Sequence, residues 1–226
     1  MKKTLMVAAM CSTVSILSAV SGNAVPVPVL AYDGTYVDMY LKSFPVGLSE
    51  EQVFLDAALA YTITGHVGSQ TDLRLVTFSS TTDKLDAANG FSTIKAEDGY
   101  LNNITITAPG YWFEDLIFSV NLTPNSNSDL TVMAVDKSGG TDSYANWAAL
   151  GEWVNGENRI LVLSDTGTLM QSVTITSMIG VESLGGLDQL KQTEISGLTA
   201  VPEPATMLLF GTGLIGLAGI GRKKRS

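Results

Sequence analysis

Between residues 25 and 200 the chain alternates apolar and polar side chains in short runs. Leu73, Leu75 and Thr77 alternate with Arg74, Val76 and Phe78; Ile104 and Ile106 with Thr105 and Thr107; Leu116, Phe118, Val120 and Leu122 with Ile117, Ser119 and Asn121. The habit returns over residues 132–135, 160–163 and 169–176. Successive side chains of a strand point to opposite faces, so a period of two with threonine-rich outer positions predicts half-buried antiparallel strands. Turn signals separate the runs: Asp98-Gly99, Pro109-Gly110, Pro124-Asn125-Ser126-Asn127, Ser138-Gly139-Gly140, Asn155-Gly156 and Gly185-Gly186. Strands at this spacing, with no helix recurring between them, predict an all-β fold over residues 25–200, an antiparallel β-sandwich or jelly roll. One stretch is ambiguous. Residues 50–61 read either as a strand or as a helix capped by Ser49, with Gln52 completing a capping box and Val53, Phe54, Ala57, Ala58 and Tyr61 on one face.

Both ends break the pattern. Residues 1–24 have a basic start at Lys2-Lys3, an apolar run over residues 5–20, and small residues Gly22 and Ala24 before Val25. These are the three parts of a cleavable secretory signal peptide. A permanent anchor needs a longer run with a basic stop, whereas this one ends in Ser21-Gly22-Asn23-Ala24. At the other end no charge lies between Thr206 and Gly221, and Arg222, Lys223, Lys224 and Arg225 follow. As a helix, the 17 residues 205–221 span roughly 25 Å, enough for one crossing of a thin bilayer core. The four bases then stay cytoplasmic and the body lies outside. Gly211, Gly213, Gly216, Gly219 and Gly221 make this segment a poor permanent anchor.

Charge narrows what the body can do. The chain carries 22 acids and 13 bases, but six of the bases sit in the tails, which leaves 7 bases against 21 acids between residues 25 and 201, a net charge of −14. Such a surface repels nucleic acid and anionic lipid. The single cysteine, Cys11, lies in the signal segment, so the trimmed chain has no disulfide, thiol nucleophile or cysteine metal site. Met10 before it is bulky, which argues against a lipoprotein signal.

Candidate chemistry is sparse. His66 is the only histidine, set between Gly65 and Gly68, and reads as a turn residue rather than a catalytic base. No serine-nucleophile elbow, phosphate-binding loop, dinucleotide fingerprint or zinc-protease motif is present. Glycoside cleavage needs two carboxyl groups flanking a groove. Glu114-Asp115 are expected on opposite faces of a strand, and Glu152 and Glu157 flank a turn. Asp83, Asp86, Glu97 and Asp98 cluster in sequence without EF-hand spacing, and read either as solvated acids or as ligands of a structural calcium. The expectation is therefore no catalytic residue and no resident cofactor. Aromatic rings can stack on sugars through their apolar faces or fill the core. Trp112 lies beside Tyr111 and Phe113, while Trp147 and Trp153, with Tyr144 nearby, sit on a connection where a glycan contact is expected.

Pro202-Glu203-Pro204, a glycine-interrupted apolar segment and the terminal Arg222-Lys223-Lys224-Arg225 occur in that order within the last 25 residues. With a signal segment at the other end, this resembles the PEP-CTERM sorting signal of exported proteins from Gram-negative bacteria that make extracellular polysaccharide. The resemblance implies recognition of Pro202, Glu203 and Pro204 by an exosortase, a membrane-embedded cysteine transpeptidase-like enzyme. It further implies membrane retention through residues 207–221, orientation by the four bases, and processing near the motif with release or transfer of the body. Six short segments are also similar to a group of PEP-CTERM passengers for which no activity follows: residues 65–70, Thr82-Asp83, Asn89-Gly90-Phe91, 113–118, 190–192 and 195–197. The organisation expected is a signal peptide at 1–24, a β-sandwich passenger at 25–200 and a sorting signal at 201–226. The function expected is a non-catalytic surface or matrix protein, anchored transiently and associated with exopolysaccharide or biofilm. The alternatives are a carbohydrate-active enzyme and a purely structural surface protein.

Overall fold

The structure, a computed structural model, describes residues 29–41, 50–122, 130–145, 147–150, 156–165, 167–177 and 187–202. The signal segment, Trp153 and the chain beyond Pro202 lie outside the described residues. In chain order the strands are β1 Val29–Asp33, β2 Val37–Leu41, β3 Glu51–Leu55, β4 Ala58–Ala60, β5 Thr62–Val67, β6 Leu75–Ser79, β7 Leu85–Ala87, β8 Gly90–Phe91 and β9 Thr93–Ala96. They continue as β10 Asn103–Thr107, β11 Tyr111–Trp112, β12 Asp115–Leu122, β13 Leu130–Asp136, β14 Thr141–Tyr144, β15 Gly156–Ser164, β16 Met170–Ser177, β17 Leu187–Ser196 and β18 Thr199–Ala200. A single 3₁₀ turn, Trp147–Leu150, is the one helical element among the described residues.

The fold is an antiparallel β-sandwich. One sheet runs β1-β2-β15-β12-β17-β9-β7-β4 and the other β14-β13-β16-β10-β6-β5-β3-β8, every pairing antiparallel. β3 joins them: Glu51 and Gln52 pair with β17, and Val53 onwards pairs with β5. A strand that changes sheet in this way forms a corner of the sandwich and closes one side of the core. Apolar positions of both sheets meet in one cluster, with Met39, Leu116, Phe118, Val120 and Ile160 from the first and Phe78, Ile104, Ile106, Val132 and Val173 from the second.

Burial follows the expected period of two. β10 alternates half-buried and buried positions, and so does β13. The outer faces of these strands carry threonines that bond across the sheet, as Thr105 and Thr174 do at 2.9 Å. β12 is the exception, with its first six residues all buried. Leu116, Phe118 and Val120 face the core, while Ile117 and Ser119 are buried on the opposite face. Arg159 of β15 and Glu194 of β17, the strands on either side of β12, meet at 2.6 Å across that face.

Residues 50–61 do not form the helix that a capped amphipathic reading allows; they form β3 and β4. Val53 and Leu55 are fully buried at alternate positions, and Phe54 points the other way onto Phe91, with ring centroids 6.2 Å apart. Long-range pairing to β5 and β17 overrides the local helical signal. Gly65 makes the approach possible, since a Cβ there would lie 2.6 Å from Val53 Cγ1.

Phe118 is fully buried at the centre of the core, whereas Leu73 is 91% exposed. Phe118→Ala is expected to lower unfolding free energy by about 3–5 kcal/mol, and Leu73→Ala by less than about 0.5 kcal/mol, as read by denaturant unfolding of the two variants.

Candidate functional site

The strands run between two ends of the sandwich, and the carboxy-terminal tail leaves from one of them. After β10 the chain turns through Pro109 and Gly110, whose φ of +81° suits glycine, and the Tyr111 N–H donates to the Ala108 carbonyl at 2.9 Å. β11 then pairs with β18, Tyr111 opposite Ala200 and Trp112 opposite Thr199. One more backbone bond extends the pairing: the Val201 N–H donates to the Gly110 carbonyl at 2.9 Å. Pro202, the next residue, is exposed. It is the only described member of Pro202-Glu203-Pro204, because Glu203, Pro204 and Arg222, Lys223, Lys224 and Arg225 lie outside the described residues.

Gly197 sets the path into β18. Its φ is +62°, and an added Cβ would clash with the Glu114 side chain. Leu198 packs against the core, and the Glu114 N–H holds the Ser196 carbonyl at 3.1 Å. Beside β18 lies an open cavity of about 350 Å³ lined by Glu114, Leu163, Asp165, Gly167, Thr168 and Thr199.

Glu114 and Asp115 diverge. Glu114 is exposed and lines that cavity, while Asp115 is 3% exposed, accepts a bond from the Ser196 hydroxyl and has no hydrogen-bond partner at Oδ1. Burial pushes the Asp115 carboxyl up from its ordinary value, reinforced by the charges of Glu50 and Glu114. At the same end Arg74 bridges Glu51 and Asp72, at 2.8 and 2.7 Å from its Nη2. The Arg74 donors hold the Asp72 carboxyl down at about 2. His66 stands in β5 rather than in the turn that its glycine neighbours suggest, and donates through Nδ1 to the Asp72 carbonyl at 2.8 Å, with Nε2 3.6 Å from Asp56. It serves as a strut of this cluster.

The aromatic residues separate. Trp147 is 1% exposed and stands edge-on to Tyr144 with centroids 4.9 Å apart. Its ring belongs to the core and is not available for the glycan contact expected of it, because the 3₁₀ turn folds it inward. Tyr144 is half-buried and continues the stack to Tyr32 at 5.9 Å. Trp112 is half-buried on β11, and Trp153 lies outside the described residues. Tyr61, which the helical alternative places on an apolar face, is instead 52% exposed between β4 and β5. The alternation there marks it as outward, but a lone tyrosine in an apolar run carries no other signal.

The acidic cluster also divides. Asp83 is 4% exposed and bound by the side chains of Ser80, Thr82 and Asn102 and the backbone of Asn102 and Asn103. Glu97 pairs with Lys84 at 3.4 Å, and Asp86 is exposed on β7. Among the described residues no group of three His, Cys, Asp or Glu side chains is placed to hold a metal ion.

Compared with models of known protein families, residues 200–225 match the PEP-CTERM protein-sorting motif. No curated protein sequence and no solved structure matches the chain. The motif implies secretion, transient anchoring through the carboxy-terminal segment, and exosortase-dependent sorting to the cell surface. The match begins at Ala200, inside β18, so the folded body and the sorting signal overlap by one strand residue.

Replacing Gly197 by alanine is expected to detach β18 at a local cost of about 1–3 kcal/mol. Limited proteolysis should then cut between residues 197 and 202 faster than in the parent chain, while cleavage within the sandwich keeps its rate.

Proposed function

We propose that this PEP-CTERM protein is a non-catalytic exported protein of the cell surface or extracellular matrix, whose acidic sandwich associates with exopolysaccharide. The observation that carries the proposal is the junction at β18. The sorting signal starts within the last hydrogen-bonded residues of the body, Ala200 and Val201, so the body is a cargo presented as a finished domain at its end. The tail spans the inner membrane before processing, and the four terminal bases keep it oriented with the body outside. An exosortase reads Pro202, Glu203 and Pro204 and releases or transfers the sandwich to the surface. Nucleic acid is not a partner for a body with a net charge of −14.

The body supports a binding or structural role. Glu114 and Asp115, the adjacent carboxyl pair, diverge instead of flanking one cleft. Two carboxyl groups on either side of a groove are what glycoside cleavage requires. Association with a hydrated polysaccharide matrix asks less: a stable scaffold, a soluble acidic surface and shallow polar sites.

Replacement of Pro202, Glu203 and Pro204 by alanine is expected to leave the full-length chain in the inner-membrane fraction and to remove it from the extracellular matrix, as followed by cell fractionation and immunoblotting. Normal appearance of the shortened variant in the matrix would refute exosortase sorting through this motif.

A further inference from the structure

A second cavity, of about 480 Å³, opens at the end of the sandwich away from the tail and is lined by Tyr61, Thr82, Asp83, Lys84, Glu97 and Asp98. We infer that this cavity is a subsite for a neutral pyranose unit of a polysaccharide, with Tyr61 as its stacking platform and Lys84, Glu97 and Asp98 as its hydrogen-bonding rim. The inference rests on the proposed association with exopolysaccharide and gives it a place on the molecule.

The position follows from the strand directions. Asn103 begins β10 beside Thr81, whose N–H it holds at 3.0 Å, and Thr107 ends β10 just before the Pro109-Gly110 turn that receives Val201. Five strand residues at about 3.3 Å each therefore separate the cavity from the root of the tail. The cavity thus lies at the end of the sandwich opposite the root of the tail.

The walls are fixed before any ligand arrives. Asp83 gathers the 80–83 loop and the start of β10 through Ser80, Thr82, Asn102 and Asn103. The Ser80 N–H donates to the Tyr61 carbonyl at 2.9 Å and sets the ring beside that loop. On the opposite wall the Glu97 N–H donates to the Lys84 carbonyl at 2.9 Å, and their side chains pair at 3.4 Å. The Asp98 carboxylate caps its own turn by accepting the Tyr100 N–H at 3.2 Å. Preorganised walls spare a weak ligand the entropy of ordering them.

The chemistry selects a sugar. An exposed aromatic face takes the apolar face of a pyranose ring, carboxylates accept its hydroxyls, and an ammonium donates to its oxygens. Counting Asp83 with the rim, three carboxylates against one ammonium give the cavity lining a formal charge of −2, which disfavours phosphate and uronate. A bare divalent cation finds no set of three ligands among the described residues.

The test uses the full chain in a zwitterionic detergent, because alkyl glycoside detergents would themselves present a sugar. Gluco-, manno- and galacto-hexaoses and a hexauronate are titrated and followed by saturation-transfer NMR. At least one neutral hexaose is expected to bind, with the hexauronate weaker. Tyr61→Ala should weaken binding by about tenfold, and Tyr61→Trp should retain it. The ring is half exposed, so the alanine variant should keep the parent melting temperature. If a neutral hexaose binds the alanine variant as tightly as the parent, this cavity is not the site, and the polysaccharide reading stands. If only the hexauronate binds, the ligand class assigned here is wrong. If no saccharide binds, both this inference and the polysaccharide reading fall.

Discussion

Burial of β12 on both faces is the constraint from which the architecture follows. A strand covered on one side only would leave its sheet as one layer over a core. Here Leu116, Phe118 and Val120 enter the core while Ile117 and Ser119 are covered on the other side, where Arg159 and Glu194 meet across the strand. Such a strand needs a neighbour along most of its length on each edge, and β15 and β17 supply them from Asp115 to Leu122. β17 in turn holds Glu51 and Gln52 of β3, which cross to the other sheet. The two layers are thus tied through backbone hydrogen bonds as well as through packed side chains.

The same strand fixes what lies at each end. At its start Asp115 bonds Ser196, and the backbone of Glu114 holds Ser196, so the exit of β17 and the turn at Gly197 are pinned before β18 begins. That end also collects the Arg74 bridge between Glu51 and Asp72. The root of the tail therefore sits on a braced surface, while its last strand is two exposed residues long. A short exposed strand opens more readily than the core to which it is attached.

The fold was legible because most strands are half-buried, and half-burial writes a period of two directly into the residue order, as in β10 and β13. Residues 50–61 were ambiguous because their apolar positions satisfy both periods, and the decision is made by β5, β17 and β8, none of which is adjacent to β3 in the chain. The outer-face burial of β12 was invisible for a similar reason, since it depends on Arg159 and Glu194, 35 residues apart. The sorting signal was fully legible, being a linear motif read by order and spacing. The cavity around Tyr61 was not, because its walls come from three separate turns, and the tryptophans drew attention to a connection whose Trp147 folds inward.

The central claim is that a folded sandwich is delivered to the surface with its sorting tail removed. Intact mass spectrometry of the protein recovered from its native cell surface or matrix tests this most directly. The predicted species lacks residues 1–24 and the apolar segment and basic cluster beyond the Pro-Glu-Pro motif, with the sandwich otherwise whole. A species that retains the apolar segment and all four terminal bases would contradict the claim and make the tail a permanent anchor.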